Sequence, residues 1–170
     1  LGDVYKRQEQ NATPDVYVDA LIAEGCDDAL IGIGQQGRIA LNFMREAGSA
    51  MDAVQSAICQ VRQVMPGARL VEASPDLVGL TDVAEILGFS RQNMRKIMLG
   101  AGSTFPLPVH DGKPTIWHLF KILEWLGENG KYAADSSLIE LAKVTMELNI
   151  VRELNDVEAG AQDRLLALIA

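Results

Sequence analysis

Apolar residues recur with two different periods along this chain, and the period changes where glycine, proline or serine interrupts it. Residues 14–24, PDVYVDALIAE, predict a helix with Pro14 in its first turn. Val16, Ala20 and Ile22–Ala23 form its buried side, and Gly25 stops it. Next, Ala29, Ile31 and Ile33 alternate with other residues, and Ile39, Leu41 and Phe43 alternate again. Period two on both sides of Gly34–Gln35–Gln36–Gly37 predicts a β-hairpin, because alternate strand residues share one face. Ser49 then caps a helix through about Met65, with Ala53, Val54, Ala57, Ile58, Val61 and Val64–Met65 on one face. Pro66–Gly67 ends it, and 68–73, ARLVEA, is a further strand.

Helix, strand, strand, helix, strand is the order of a ferredoxin-like βαββαβ unit that lacks its first strand. The gap falls on LGDVYKRQ, which resembles translated adapter ends from metagenomic assemblies. Residues 1–8 are therefore read as a candidate non-native leader, with the true amino terminus expected to be missing. The expected fold class is α+β. Residues 9–75 form a ferredoxin-like, N-terminally truncated domain, 76–130 a winged helix-turn-helix, and 131–170 a C-terminal association helix. Ser74–Pro75–Asp76 is the joint.

After the joint, two short helices are expected at 81–87 and 91–99, then a Pro/Gly-rich stretch, then a helix from about Thr115 to Leu126. Gly127 and Gly130 flank a break. A last helix, roughly Ser136 to Val157, carries Leu141, Val144, Leu148 and Val151 at heptad-like spacing, with Ile139, Ala142, Met146 and Ile150 as a second stripe. So wide an apolar surface must be covered, by a partner chain or by the other domains.

The segment 80–99, LTDVAEILGFSRQNMRKIML, meets several independent requirements of a helix-turn-helix. Ala84 lets two helices approach closely. Gly88, four residues later, stands where the backbone needs positive φ. Val83, Leu87, Phe89, Met94 and Ile97 point inward. Ser90 caps the second helix and Thr81 is a candidate cap for the first, with Glu85 one residue too far for a capping box. An ordinary αα-hairpin also needs small residues at its crossing. Against it stands the polar face of Arg91, Gln92, Asn93, Arg95 and Lys96, which contains no acid. Arginine suits guanine, glutamine or asparagine suits adenine, and lysine suits the phosphate backbone.

The runs GLTDVAEILGFSRQNMRKIM and FPLPVHDGKPTIWHLFKILEWL resemble the winged helix-turn-helix of MerR-type regulators and of phage excisionase or AlpA-like regulators. The resemblance covers about residues 76–126. It implies a β-hairpin wing entered from Phe105–Val109, turning at Asp111–Gly112 and returning through Ile116–Trp117 into a helix that ends at Trp125–Leu126. It further implies a second helix lying in the major groove of DNA, with the wing near the adjacent backbone. The insertion Gly100–Thr104 departs from the pattern and is expected to make the wing mobile. Pro114 is expected to shorten the second wing strand.

Charge at first argues against nucleic acid, since the 170 residues carry a net −8. The distribution changes that picture: 88–121 holds Arg91, Arg95, Lys96, Lys113 and Lys121 against the single acid Asp111. Exposed charges more than about 10 Å away are largely screened at physiological salt, so the local excess can act on a phosphate backbone. Ser90, Arg91, Gln92, Asn93, Arg95, Lys96, His110, Lys113 and Lys121 are thus the candidate DNA-binding residues. For His110, Lys113 and Lys121 a plain surface role is the alternative.

Other signals carry less. Gly32–Gly37 spells GxGxxG, but a dinucleotide site needs a helix next, and the strand-like RIALNF follows. Asp27–Asp28 reads as a solvated turn. His110 and His118 have no cysteine nearby, so no metal is expected. Trp117 and Trp125, two turns apart on one helix, are read as core. Cys26 and Cys59 are read as buried free thiols, which fits a reducing cytoplasm. No nucleophile–base or paired-carboxylate spacing is found, and neither enzyme activity nor a cofactor is expected. No apolar run of about 18 residues suggests a membrane span. The expected function is sequence-specific double-stranded DNA binding by a cytoplasmic bacterial or phage-like transcription regulator. Its expected partners are DNA and a second copy of itself. The rival is a protein-interaction adaptor or antitoxin-like module whose helix pair binds a protein.

Overall fold

The computed structural model describes residues 2–7, 15–32 and 38–169 of the chain. The architecture is mixed α+β. In the amino-terminal part the order is β1 (Gly2–Arg7), α1 (Asp15–Ala23), β2 (Ala29–Gly32), β3 (Arg38–Phe43), α2 (Ala50–Val64) and β4 (Arg69–Ala73). The strands form one antiparallel sheet in the order β2-β3-β1-β4. The strand that the sequence pattern lacked is supplied by Gly2–Arg7, within the candidate leader, and lies between β3 and β4. The turn residues 33–37 lie outside the described residues. The strands on either side of them pair from Ala29↔Phe43 to Gly32↔Ala40, as a hairpin requires.

Alternation in β3 places Ile39, Leu41 and Phe43 on one face, all buried with Leu21, Cys26, Ala57, Val61 and Met65. Each of the larger side chains among them, Leu, Ile, Val, Phe or Met, stabilises the unit by about 1.5–3 kcal/mol. In α2 the Ser49 hydroxyl accepts from the Asp52 amide at 3.1 Å, so the cap is where it was expected. In α1 the expected buried side is wrong: Leu21 is fully buried, while Ala20, Ile22 and Ala23 are exposed. Apolar residues occupy nearly every side of that short helix, so its periodicity selects no face. Gly25 follows it at φ +96°, a conformation that favours glycine. Cys26 is buried and Cys59 is exposed; both are free.

Asp28 is not a solvated turn residue. Its carboxylate accepts from Arg45 Nε and Nη2 at 2.7 and 2.8 Å, and Arg45 Nη1 and Nη2 also donate to Ser56 Oγ and the Gly25 carbonyl. The Arg45 hydrogen bonds hold the Asp28 carboxyl below the usual carboxylate range. A depressed folded pKa stabilises fully above the unfolded value of about 3.9, and the gain disappears as pH falls through the folded value. The urea midpoint of the native chain should therefore drop with acid below about pH 4 more steeply than that of Asp28→Asn. Equal acid slopes for the two chains would remove the pair from the stability of this unit.

The second part comprises β5 (Leu77–Val78), α3 (Leu80–Ile86), α4 (Arg91–Ala101), β6 (Trp117–His118), α5 (Leu119–Glu128), α6 (Ser136–Leu154) and α7 (Ala159–Ile169). Its core joins Val83, Met94, Phe105, Trp117, Leu123 and Trp125 with other residues of the same elements. The helix expected from Thr115 starts only at Leu119. Trp117–His118 pairs instead with Leu77–Val78, so the two tryptophans do not share one helix, although both are buried. The aromatic ring of Phe105 meets both edge-on, at centroid distances of 6.0 and 5.2 Å.

The joint is clamped rather than loose. Asn149 of α6 accepts from the Ala73 amide at 2.9 Å and donates to the Ala73 carbonyl at 2.7 Å, taking the place of a strand neighbour. Its amide also donates to Asp76 Oδ2 at 2.8 Å; Asp76 Oδ1 lies 2.7 Å from His118 Nδ1, and the Asp76 carbonyl accepts from Leu119 N. Thr145 donates to the Pro75 carbonyl at 2.7 Å. Asp76, Thr145 and Asn149 are all buried. Thus α6, expected for association, spends most of its apolar surface inside its own chain: Leu141, Ala142, Val144 and Met146 are buried. The helix ends at Leu154, and α7 follows with no buried residue. No helix among the described residues is long and apolar enough to cross a membrane.

Candidate nucleic-acid interface

The turn between α3 and α4 is built by backbone hydrogen bonds that only a glycine-like conformation allows. Gly88 stands at φ +68°, its amide donates to the Glu85 carbonyl at 3.2 Å, and the Phe89 amide donates to the Ala84 carbonyl at 2.7 Å. This pair of bonds is a Schellman motif, which satisfies carbonyls a helix end leaves open. Ala84 is buried at the crossing. Phe89 packs its ring edge-on to Tyr132 at 5.1 Å. Ser90 then accepts from the Asn93 amide at 3.2 Å and caps α4. The first helix is capped differently from expectation. Gly79 is its cap position, and Asp82 reaches back to accept from the Gly79 amide at 2.7 Å. Thr81 lies inside the first turn and is exposed.

Met94 is fully buried and Ile97 partly so, which fixes the rotation of α4. Arg91, Gln92, Asn93, Arg95 and Lys96 are consequently all exposed. Among the described residues, none of the Arg91, Gln92, Arg95 or Lys96 side chains has a hydrogen bond or ion pair within the chain. The first turn of α4 has no acid. A free guanidinium gives up only hydration when it meets a phosphate or a base edge, whereas a paired one must also lose its partner.

The residues expected in a wing lie on a minimal hairpin. The Val109 and His110 amides donate to the Ile116 carbonyl at 2.8 and 3.2 Å, and the Ile116 amide returns to the His110 carbonyl at 2.9 Å. The loop runs from Asp111 to Thr115, tightened by Thr115 Oγ1 donating to the Gly112 carbonyl at 3.0 Å. Asp111–Gly112 is not its two-residue turn, because Gly112 is outside the left-handed region. Pro114 has no amide to extend the ladder. A Cβ on Gly112 would meet the far edge of the exposed His110 ring, which would have to turn aside to admit it. His110 and Lys113 are exposed on this loop. Lys121 stands apart on α5, 3.6 Å from Glu124 and over the Phe120 ring, so its charge is partly answered at home. The glycine-rich insertion is a hydrogen-bonded turn, Gly102–Thr104, anchored at its far end by buried Phe105.

The polar residues that tie this unit together were missed by sequence reasoning: Asp76, His118, Thr145 and Asn149. Asparagine and threonine on the otherwise apolar inner stripe of α6 could have signalled Asn149 and Thr145; nothing comparable marked Asp76 or His118. Among the described residues no cluster of His, Cys, Asp and Glu could hold a metal ion. No family model, no curated protein and no solved structure matches the chain.

Proposed function

We propose that this chain is a sequence-specific double-stranded DNA-binding protein, a bacterial or phage-like transcription regulator. Residues 76–130 form its winged helix-turn-helix, of the MerR and excisionase type. The observation that carries the reading is the set of unpaired polar and cationic side chains on α4, propped outward by the buried Met94 and the Gly88 turn. Arg91, Gln92, Asn93 and Arg95 read base edges, and Ser90, Lys96, His110, Lys113 and Lys121 hold the backbone. The amino-terminal unit is a ferredoxin-like domain; the sheet order β2-β3-β1-β4 supports that assignment.

Selection of bound duplexes from a random pool, followed by mobility shifts, tests this reading. Arg91→Ala should cost about 1–3 kcal/mol on the preferred site and relax preference at one position, whereas Lys113→Ala should weaken all sequences alike and flatten the salt dependence. Unchanged affinity and selectivity in Arg91→Ala would dismiss the reading helix.

One such module offers few contacts, and two on a twofold axis reach half-sites about 34 Å apart. We assign the dimer contact to the end of α6 and to α7, where Ile150, Val151, Leu154, Leu165, Leu166, Leu168 and Ile169 are 43–83% exposed. Cutting after Gly130 would remove the core residues of α6, so the informative truncation ends at Val157. It should sediment as a folded monomer where the full chain is a dimer. Retained dimerisation would move the interface elsewhere. The net charge of −8 favours a second reading, an adaptor or antitoxin-like module that binds a protein. Failure to bind heparin at low salt would select it.

A further inference from the structure

A cleft of about 670 Å³ lies where the sheet unit, α3 and α6 meet. That volume falls within the roughly 300–1,000 Å³ of small-molecule sites, which favour domain boundaries. Its walls are mostly apolar: Ala53 of α2, Pro75 of the joint, Ile86 at the end of α3, and Leu138 and Leu141 of α6.

The polar groups in the wall are unequal in what they have left to offer. Arg45 reaches the cleft, but all three of its guanidinium nitrogens already have partners, the Asp28 carboxylate chief among them. The Ser49 hydroxyl donates to Asp52 at 2.7 Å, the Ser137 hydroxyl is bonded to the Asp135 carboxylate, and Ser74 is engaged as well. The amino end of α2, a natural place for an anion, is filled by the chain's own Glu140, whose Oε1 accepts from the Ala50 amide at 3.2 Å. Asn42 Oδ1 has no partner among the described residues, but it is shut off from solvent and a ligand in the cleft does not reach it. Glu140 keeps its second oxygen, and it is the one charged group of the lining whose charge no side chain of opposite sign answers among the described residues.

We propose that the cleft binds a small amphiphilic amine, its hydrocarbon or aromatic body against Pro75, Ile86, Leu138 and Leu141 and its ammonium on the free oxygen of Glu140. A carboxylate or phosphate of the same shape is refused, because it would find the anion position taken and no free cation.

Nitrogen–proton correlation spectra of the full chain test the site, with benzylamine, 2-phenylethylamine and tryptamine as probes and 3-phenylpropionate as the matched anion. Saturable shifts are expected at amides of 47–53 and 137–141 for at least one amine, with Kd on the order of 1 mM for so small a ligand. 3-Phenylpropionate should give none. Glu140→Gln keeps an acceptor for the Ala50 amide, so the fold should survive while amine affinity falls about tenfold. Ala53→Phe, which fills the cleft, should abolish the shifts; if it does not fold, Glu140→Gln decides alone. No saturable shift with any of the amines, equal shifts with the anion, or unchanged affinity in Glu140→Gln would overturn the proposal. A chain that binds the amine but no duplex would keep this site and sink the DNA-binding reading instead.

Discussion

Asn149→Leu should lower stability by about 3–5 kcal/mol. Leucine has nearly the shape of asparagine, so packing changes little. The hydrogen bonds change completely. The Ala73 amide, the Ala73 carbonyl and Asp76 Oδ2 each lose a partner in a site from which water is excluded. A buried donor or acceptor left unmade costs about 1–3 kcal/mol, and a buried carboxylate more. Against a total stability of about 5–15 kcal/mol that is a large share. Urea titration followed by tryptophan fluorescence reads it directly, since Trp117 and Trp125 sit in the core that the clamp closes. Lys143→Ala, on the exposed side of the same helix, should change stability by less than about 0.5 kcal/mol. A loss below about 1 kcal/mol for Asn149→Leu would show that the two parts of the chain are stable without the clamp.

Met94→Ala and Arg95→Ala, neighbours in sequence, should fail in opposite ways. Met94 is fully buried between α3, α4 and the tryptophan cluster, and its truncation should cost about 2–5 kcal/mol through lost burial and the cavity left behind. Arg95 is exposed and makes no contact that the fold needs, so Arg95→Ala should leave the urea midpoint within error. On the proposed DNA-binding reading the order should reverse. Arg95→Ala should weaken binding by about 1–3 kcal/mol, while Met94→Ala, assayed where it is still folded, should lose much less. Equal loss of stability in both variants would mean that α4 is rotated from the position described, and the polar face would not be free to meet a partner.

These two residues also show what could be read ahead of the structure. The period of apolar positions in 80–99 places Met94 inward and Arg95 outward with no tertiary information, because a helix repeats every 3.6 residues. The same logic located Ser49, Ser90 and Gly88, whose roles depend on a few neighbouring backbone groups. It failed where that local information was weak or misleading. In α1 apolar residues lie on most sides, and which one is buried depends on where the sheet stands. At Asp111–Gly112 a familiar turn pair is absorbed into the longer loop 111–115, because the ladder closes at His110 and Ile116. At Thr115–His118 a helical start gives way to pairing with Leu77–Val78, forty residues earlier.

Local spacing by itself determined the strands β2, β3 and β4, most of the helices, the tight glycine turn between α3 and α4, and the acid-free polar face that carries the functional proposal. Each depends on residues a few positions apart, whose geometry is set by backbone sterics and helical repeat. Only the tertiary structure decided what α6 covers, how the joint is held, and that an amine-sized cleft opens beside it. Those outcomes hang on groups more than seventy residues apart, such as Asn149 with Ala73 and Asp76, which meet only when burial forces each polar atom to find a partner.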